Sequence, residues 1–312
     1  MKYLRLVLAI LLLGGCLFLN AQVITQIGKE NMKIPTGKKP EKPSLRDTKD
    51  FHVNVDTATV YYIMIDSAQV AIDNRDWPAA ESFFKQALAS EPENASNSLI
   101  LSNLATVQRY QGKAQEALKN YTLALDLTPN AVTVLLNRAA LLVAMGNTEQ
   151  AVADFQRVRD LDDSDAESRY SMGMISLEQR DFKTAEEMFD EIKRNAPHSA
   201  LSCEGLGLLY KEKGNFNKAI EQLSIVIKAH PTARLLANRA DCHLALKHLN
   251  DATADIHQAM ELDPEDGYLY VLRAKLNKLR YNREDMEHDI EQAVRLGVDR
   301  KIVGKLLEIS SN

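Results

Sequence analysis

The chain repeats itself. The phrases QALASEPEN, LALDLTPNA, VRDLDDSDA, IKRNAPHSA, VIKAHPTAR, AMELDPEDG and AVRLGVDRK are variants of one another. Measured at Pro92, Pro129, Asp163, Pro197, Pro231, Pro264 and Val298, they fall 37, 34, 34, 34, 33 and 34 residues apart. A fixed period of this size marks a stack of small supersecondary units, each of which buries its apolar face only against its neighbours. The period sets seven units: 61–94, 98–131, 132–165, 166–199, 200–233, 233–266 and 267–300. Residues 95–97 are an insertion, and units five and six share one residue at a shorter turn.

The register is checked at offsets that did not set it. Position 8 reads Ala68, Ala105, Ala139, Gly173, Gly207, Ala240 and Ala274. Position 20 reads Ala80, Ala117, Ala151, Ala185, Ala219, Ala252 and Met286. Position 24 reads Phe84, Tyr121, Phe155, Phe189, Leu223, Ile256 and Ile290. Small, small and large at fixed offsets describe two antiparallel helices, A and B, in close contact. Helix axes about 8–10 Å apart need small residues where they touch, and a large side chain fills the space beside them. Gly207 therefore sits mid-helix for close approach, with Ala219 expected opposite. Gly112, Gly146 and Gly214 fall in the A–B turn, where a left-handed conformation suits glycine. Proline at position 32 sits after helix B, where no helix has to continue. With 45% hydrophobic and 6% aromatic residues, the 312-residue chain has the profile of an all-α protein rather than a sandwich or barrel.

These residues resemble the tetratricopeptide repeat (TPR) family. Unit five matches best, through Leu206, Gly207, Tyr210, Gly214, Ala219 and Pro231, with Cys203 where the family often has Trp. Unit two carries Leu104, Ala105, Gly112, Ala117, Tyr121 and Pro129. Unit seven departs most, with Met286 for Ala and Val298 for Pro, as suits a terminal unit. The resemblance implies an all-α, right-handed superhelical solenoid of about seven helix-turn-helix repeats over 57–312, with 301–312 as a C-terminal capping helix. It also implies a concave groove lined by A helices, which holds segments of other proteins.

Positions that face such a groove in the family are 2, 5, 9, 12 and 13, with Asn at 6. They assign Leu136, Ala140, Val143, Tyr170, Met174, Leu177 and Leu208 to an apolar strip, either exposed to a partner or buried in part between adjacent A helices. Arg109, Lys211, Glu212, Arg234, Asp241, Lys275 and Lys278 flank it. Asn103, Asn137 and Asn238 occupy position 6, either to reach a bound backbone or to bond locally between helices. The Lys and Asn pair with which some TPR domains read a chaperone carboxylate is missing.

The N-terminus reads as an export signal. MKYLR is basic, LVLAILLL is apolar, and GGCLFLNAQ is a cleavage zone. The run from Leu6 to Leu19 falls short of the roughly 18 residues of a membrane span. LGGC resembles a bacterial lipobox that would place a lipid on Cys16, whereas the apolar LFL beyond it favours cleavage after Ala21. Residues 1–21 are thus a signal peptide and 22–56 a Lys- and Pro-rich linker. The reading is a chain exported to the periplasm or cell envelope, and membrane-bound only if lipidated. Cys203 and Cys242 read as free, buried helix cysteines.

Catalytic patterns are absent. The sequence has no HExxH, P-loop, GxSxG or dinucleotide GxGxxG. His243, His248 and His257 lie in one unit without metal-ligand spacing and read as surface or packing residues. DLDDSDAE, from Asp160 to Glu167, lacks the glycine and twelfth-position Glu of a calcium loop. Trp77 reads as packing. With a net charge of −5 and no basic face, nucleic acid is not an expected partner. The expected function is a non-enzymatic, cofactor-free and metal-free scaffold or adaptor that binds protein segments. The alternative is an outer-membrane lipoprotein acting as an assembly factor or accessory subunit of an envelope complex or enzyme.

Overall fold

The computed structural model describes residues 57–307. The signal peptide, Cys16, the linker and the last residues of the cap lie outside the described residues. Among the described residues every regular element is an α-helix. The chain divides after Asp163 into two compact units. The first holds α1 (Thr57–Asp73), α2 (Trp77–Ser90), α3 (Asn97–Tyr110), α4 (Ala114–Leu127), α5 (Val132–Ala144) and α6 (Thr148–Leu161). The second holds α7 (Ala166–Glu178), α8 (Phe182–Asn195), α9 (Ala200–Glu212), α10 (Phe216–Ala229), α11 (Ala233–Ala245), α12 (Leu249–Leu262), α13 (Gly267–Leu279), α14 (Arg283–Arg295) and α15 (Arg300–Leu306). Odd-numbered helices up to α13 are the A helices and each pairs with the B helix that follows. The short α15 covers the end, burying Val303 against α13 and α14.

All seven position-8 residues are buried, as are the six position-20 alanines. At position 24, Phe84 through Ile256 are buried and Ile290 is half-buried in the terminal unit. The contact across Gly207 differs from the expected one. The nearest atoms belong to Leu223, whose Cγ lies 2.8 Å from where a Cβ would stand, and not to Ala219. Phe189 fits a slot between two glycines. A Cβ on Gly173 would lie 2.5 Å from its ring, and one on Gly205 would lie 2.4 Å away. Gly205 was not legible as a packing residue, because the helix it belongs to needs no glycine of its own.

One device closes every A–B turn. The position-15 residue is left-handed in all seven units, with φ between 57° and 78°. Three are the expected glycines; the others are Arg75, Arg180, Lys247 and Tyr281. The next amide then donates to a carbonyl five residues back, from Asp76 N to Ala71 O through Asn282 N to Asn277 O, at 2.8–2.9 Å. This bond caps the last turn of helix A. A left-handed L-residue costs about 1–2 kcal/mol, which chain reversal and packing override here.

Buried charge also recurs. Arg138 clasps Asp154 with Nε at 2.8 Å and Nη2 at 2.7 Å. Arg239 does the same to Asp255, and Arg273 to Asp289. Each pair joins position 7 on helix A to position 23 on helix B. Arg138 and Arg239 also donate to Thr122 and Ser224 on the preceding B helix. In the first unit, buried Glu81 collects Lys113 at 2.6 Å, Lys85 at 2.7 Å, Gln108 at 3.1 Å and Gln111 at 3.0 Å. Burial opposes its charge, but these donors prevail and bring the carboxyl down to about 2.

Two outcomes are expected. Gly205→Ala should lower stability by about 1–3 kcal/mol through overpacking on Phe189, despite a helix-propensity gain of about 1 kcal/mol. Adding Phe189→Leu should recover part of the loss; urea midpoints measure both. For Glu81, the folded pKa lies below the ordinary carboxylate value of 4.5. Its contribution is therefore complete above that value and disappears as pH falls through about 2. Glu81→Gln should cost about 1–2 kcal/mol at neutral pH. Its stability should also vary less with pH than the wild type's over that window.

Candidate functional site

In the first unit, α3 and α5 lie side by side and carry the expected face residues. Asn103, Arg109, Leu136, Ala140 and Val143 are half-buried, and Asn137 is buried. The Arg109 guanidinium lies 5.9 Å from the Tyr110 ring centroid. Tyr110 in turn stacks on Trp77, with centroids 4.7 Å apart and planes 8° from parallel. Trp77 is thus packed against an A helix at one edge of this face.

In the second unit the A helices α7, α9, α11 and α13 follow one another. Met174 and Leu177, assigned to the apolar strip of the groove, are buried with Ala185, Phe189, Leu206 and Leu209. The neighbouring α9 packs over α7 at those positions and takes them into the core. Tyr170 and Leu208 are half-buried at the edge of the same cluster.

What this face presents instead is a chain of polar contacts across four helices. Tyr170 Oη donates to Glu204 Oε1 at 2.7 Å, and Arg234 donates to the same oxygen. Lys211 Nζ donates to Asn238 Oδ1 at 2.7 Å and lies 3.5 Å from Asp241 Oδ2. Lys275 Nζ donates to Asp241 Oδ1 at 2.9 Å. Burial pushes the Asp241 carboxyl up, but Lys211 and Lys275 outweigh it and hold it below the usual range. Asn238 completes its bonding locally, because Nδ2 donates to Arg234 O at 2.9 Å. Its amide is used between neighbouring helices rather than held out.

Six expected residues, Tyr170, Lys211, Arg234, Asn238, Asp241 and Lys275, thus belong to two side-chain sets joined by the bond from Asn238 to the Arg234 carbonyl, with Leu208 on the intervening helix. Glu204 links two of them and was missed. It occupies position 5 of unit five, so the same offset rule contained the signal. The Arg–Asp pairs were missed as well. Arg at 7 and Asp at 23 occur together in units three, six and seven and in no other, a coincidence visible in the aligned repeats. Cys203 and Cys242 are buried and free. Burial pushes the Cys242 thiol up to about 12.

The arrangement offers donors and acceptors held by partners of opposite charge, with no nucleophile–base pair in it.

Comparison with known proteins matches the chain to the tetratricopeptide repeat family model at residues 65–132, 136–200 and 205–267. A tetratricopeptide repeat protein from Parabacteroides merdae, solved by crystallography, is 31% identical, with a TM-score of 0.68. The alignment covers 81% of this chain and 99% of that one. Tetratricopeptide repeat protein 6 of Homo sapiens is 26% identical over 50% of this chain, which spans 31% of its length. An ancillary SecYEG translocon subunit of Aggregatibacter actinomycetemcomitans is 28% identical over 34% of this chain and 52% of its own. The family matches run over the same helix pairs that carry the small–small–large contact, and the chain belongs to the tetratricopeptide repeat family.

Proposed function

We propose that this protein–protein interaction scaffold is exported and holds segments of partner proteins against its A-helix faces within the cell envelope. The observation that carries the reading is the polar network of the second unit. Polar and charged groups from four helices line up along one side, where a bound segment can compete for each of them. Leu208 and Tyr170 supply apolar surface beside it. The partner is therefore read as a polypeptide that combines hydrogen-bonding groups with small apolar anchors. In the first unit, Asn103, Arg109, Leu136, Asn137, Ala140 and Val143 are proposed to contribute in the same way. Export is supported by the basic, apolar and small-residue order of residues 1–21. The likeness to a translocon accessory subunit agrees with an envelope setting.

A second reading is supported by LGGC at Leu13 to Cys16. It makes the protein a lipid-anchored assembly factor or accessory subunit, with neither catalytic residues nor a cofactor of its own. Globomycin-sensitive labelling with a radioactive fatty acid, lost in Cys16→Ala, supports this reading. Release of the chain to the soluble fraction in the wild type opposes it.

Crosslinking of the native envelope followed by affinity purification tests partner binding. Lys275→Gln removes one charge from the face while Lys211 stays beside Asp241, and Leu208→Ala removes an apolar contact. Each variant should keep its helical circular dichroism and recover its partner at about a tenth of the wild-type yield or less. Undiminished recovery by both folded variants would place the partner elsewhere.

A further inference from the structure

The turn between α11 and α12 brings together three side chains that their spacing in the sequence does not relate. His243 is on the last turn of helix A. Lys247 takes the left-handed conformation, with φ 59°, and reverses the chain. His248 N–H then donates to His243 O at 2.9 Å, which returns His248 to the side of His243. Asp251 follows in the first turn of α12. One nitrogen from each imidazole and one carboxylate oxygen of Asp251 lie within 4.8 Å of one another. The two rings are 5.8 Å apart at their centroids and tilted by 45°, so they are not stacked face to face.

The protein leaves part of this donor set unused. His243 Nδ1 is buried with no hydrogen-bond partner. A buried polar atom in that state has lost its hydration without replacement, which ring packing alone does not recover. His243 Nε2 lies 3.9 Å from Asp255 Oδ2. A carboxylate beside a ring nitrogen is a regular companion of metal-bound histidine, because it fixes the tautomer and orients the ring. His257 stands apart, exposed and 3.4 Å from Glu261.

We propose that His243, His248 and Asp251 form a binding site for a divalent transition-metal ion. Two imidazoles and one carboxylate suit zinc, nickel or copper rather than magnesium or calcium, which prefer all-oxygen shells. Metal–ligand bonds of about 2.0–2.2 Å require donor atoms about 3.4 Å apart, so the site must contract as it binds. His248 and Asp251 are exposed and have room for that movement. Asp251 and nearby Asp255 oppose the positive field of the α12 N-terminus, Lys247 and Arg239. Three protein ligands leave a coordination position for water or for a donor from a partner.

The test uses the untagged full chain stripped with EDTA. Zinc and nickel are titrated by calorimetry and by thermal denaturation, with magnesium and calcium as controls. One equivalent of zinc or nickel should bind and raise Tm, whereas magnesium and calcium should do neither. His248→Ala and Asp251→Asn alter exposed side chains and should leave the metal-free Tm near the wild-type value. Each should weaken binding by about tenfold or more, while His257→Ala should bind as wild type. A wild-type chain that binds neither metal overturns the proposal. So does binding that His248→Ala and Asp251→Asn leave unchanged.

Discussion

Every repeat in this chain depends on two helices coming closer together than most side chains allow. Ala or Gly at position 8 and Ala at position 20 clear the path, and the large residue at 24 fills what remains. The contact is unforgiving because packed interiors have no slack. Phe189 shows how far this goes, since its ring occupies the volume that a Cβ at Gly173 or Gly205 would need. Once A and B are fixed at that distance, the turn has only one way to close. Four residues that disfavour left-handed backbone, including Tyr281, accept it at position 15 for that reason. The terminal unit relaxes at Met286 and Ile290, where α15 supplies cover instead of another repeat.

The polar contacts have a different role. A buried ion pair gains little net energy over an apolar pair of the same shape, because desolvation offsets the attraction. Its partners are nevertheless demanding, since Asp154, Asp255 or Asp289 without its Arg would be an uncompensated buried charge. Arg138, Arg239 and Arg273 each grip Asp on the B helix of their own repeat, and all three also reach the preceding B helix, at Thr122, Ser224 and Met260. A slip in either contact would strand charge. These pairs are therefore suited to fixing the register of one repeat on the next, while the small–small–large contact supplies the burial.

The same logic extends to the A-helix face of the second unit. Its groups are satisfied without a ligand, but by side-chain partners that are only partly shielded from water. Tyr170, Glu204 and Arg234 form one linked set, and Lys211, Asn238, Asp241 and Lys275 another. A face built in this way stays soluble when empty. A segment bound there, as proposed, would exchange bonds rather than create them, so its specificity would depend on the geometry of the incoming groups.

The period, the phase and the helical nature of the repeats were all legible in the residues. They follow from side-chain size at fixed offsets, and size is written directly in the sequence. The left-handed turn was legible only where glycine marks it, because backbone geometry can impose that conformation on Arg, Lys or Tyr without leaving a sign. The face positions were legible as offsets but not as exposures. Met174 and Leu177 occupy face offsets, yet the next A helix covers them. Asn238 occupies a position open to two roles, reaching a partner or bonding locally, and it bonds to Lys211 and Arg234. The proximity of His248 and Asp251 to His243 arises from a chain reversal that no ligand spacing describes. Local pattern determined which residues are helical and which sides of those helices meet within a repeat. Packing between neighbouring repeats decided which of the remaining side chains are left to meet anything else, because burial depends on what lies across the interface and not on the residue itself.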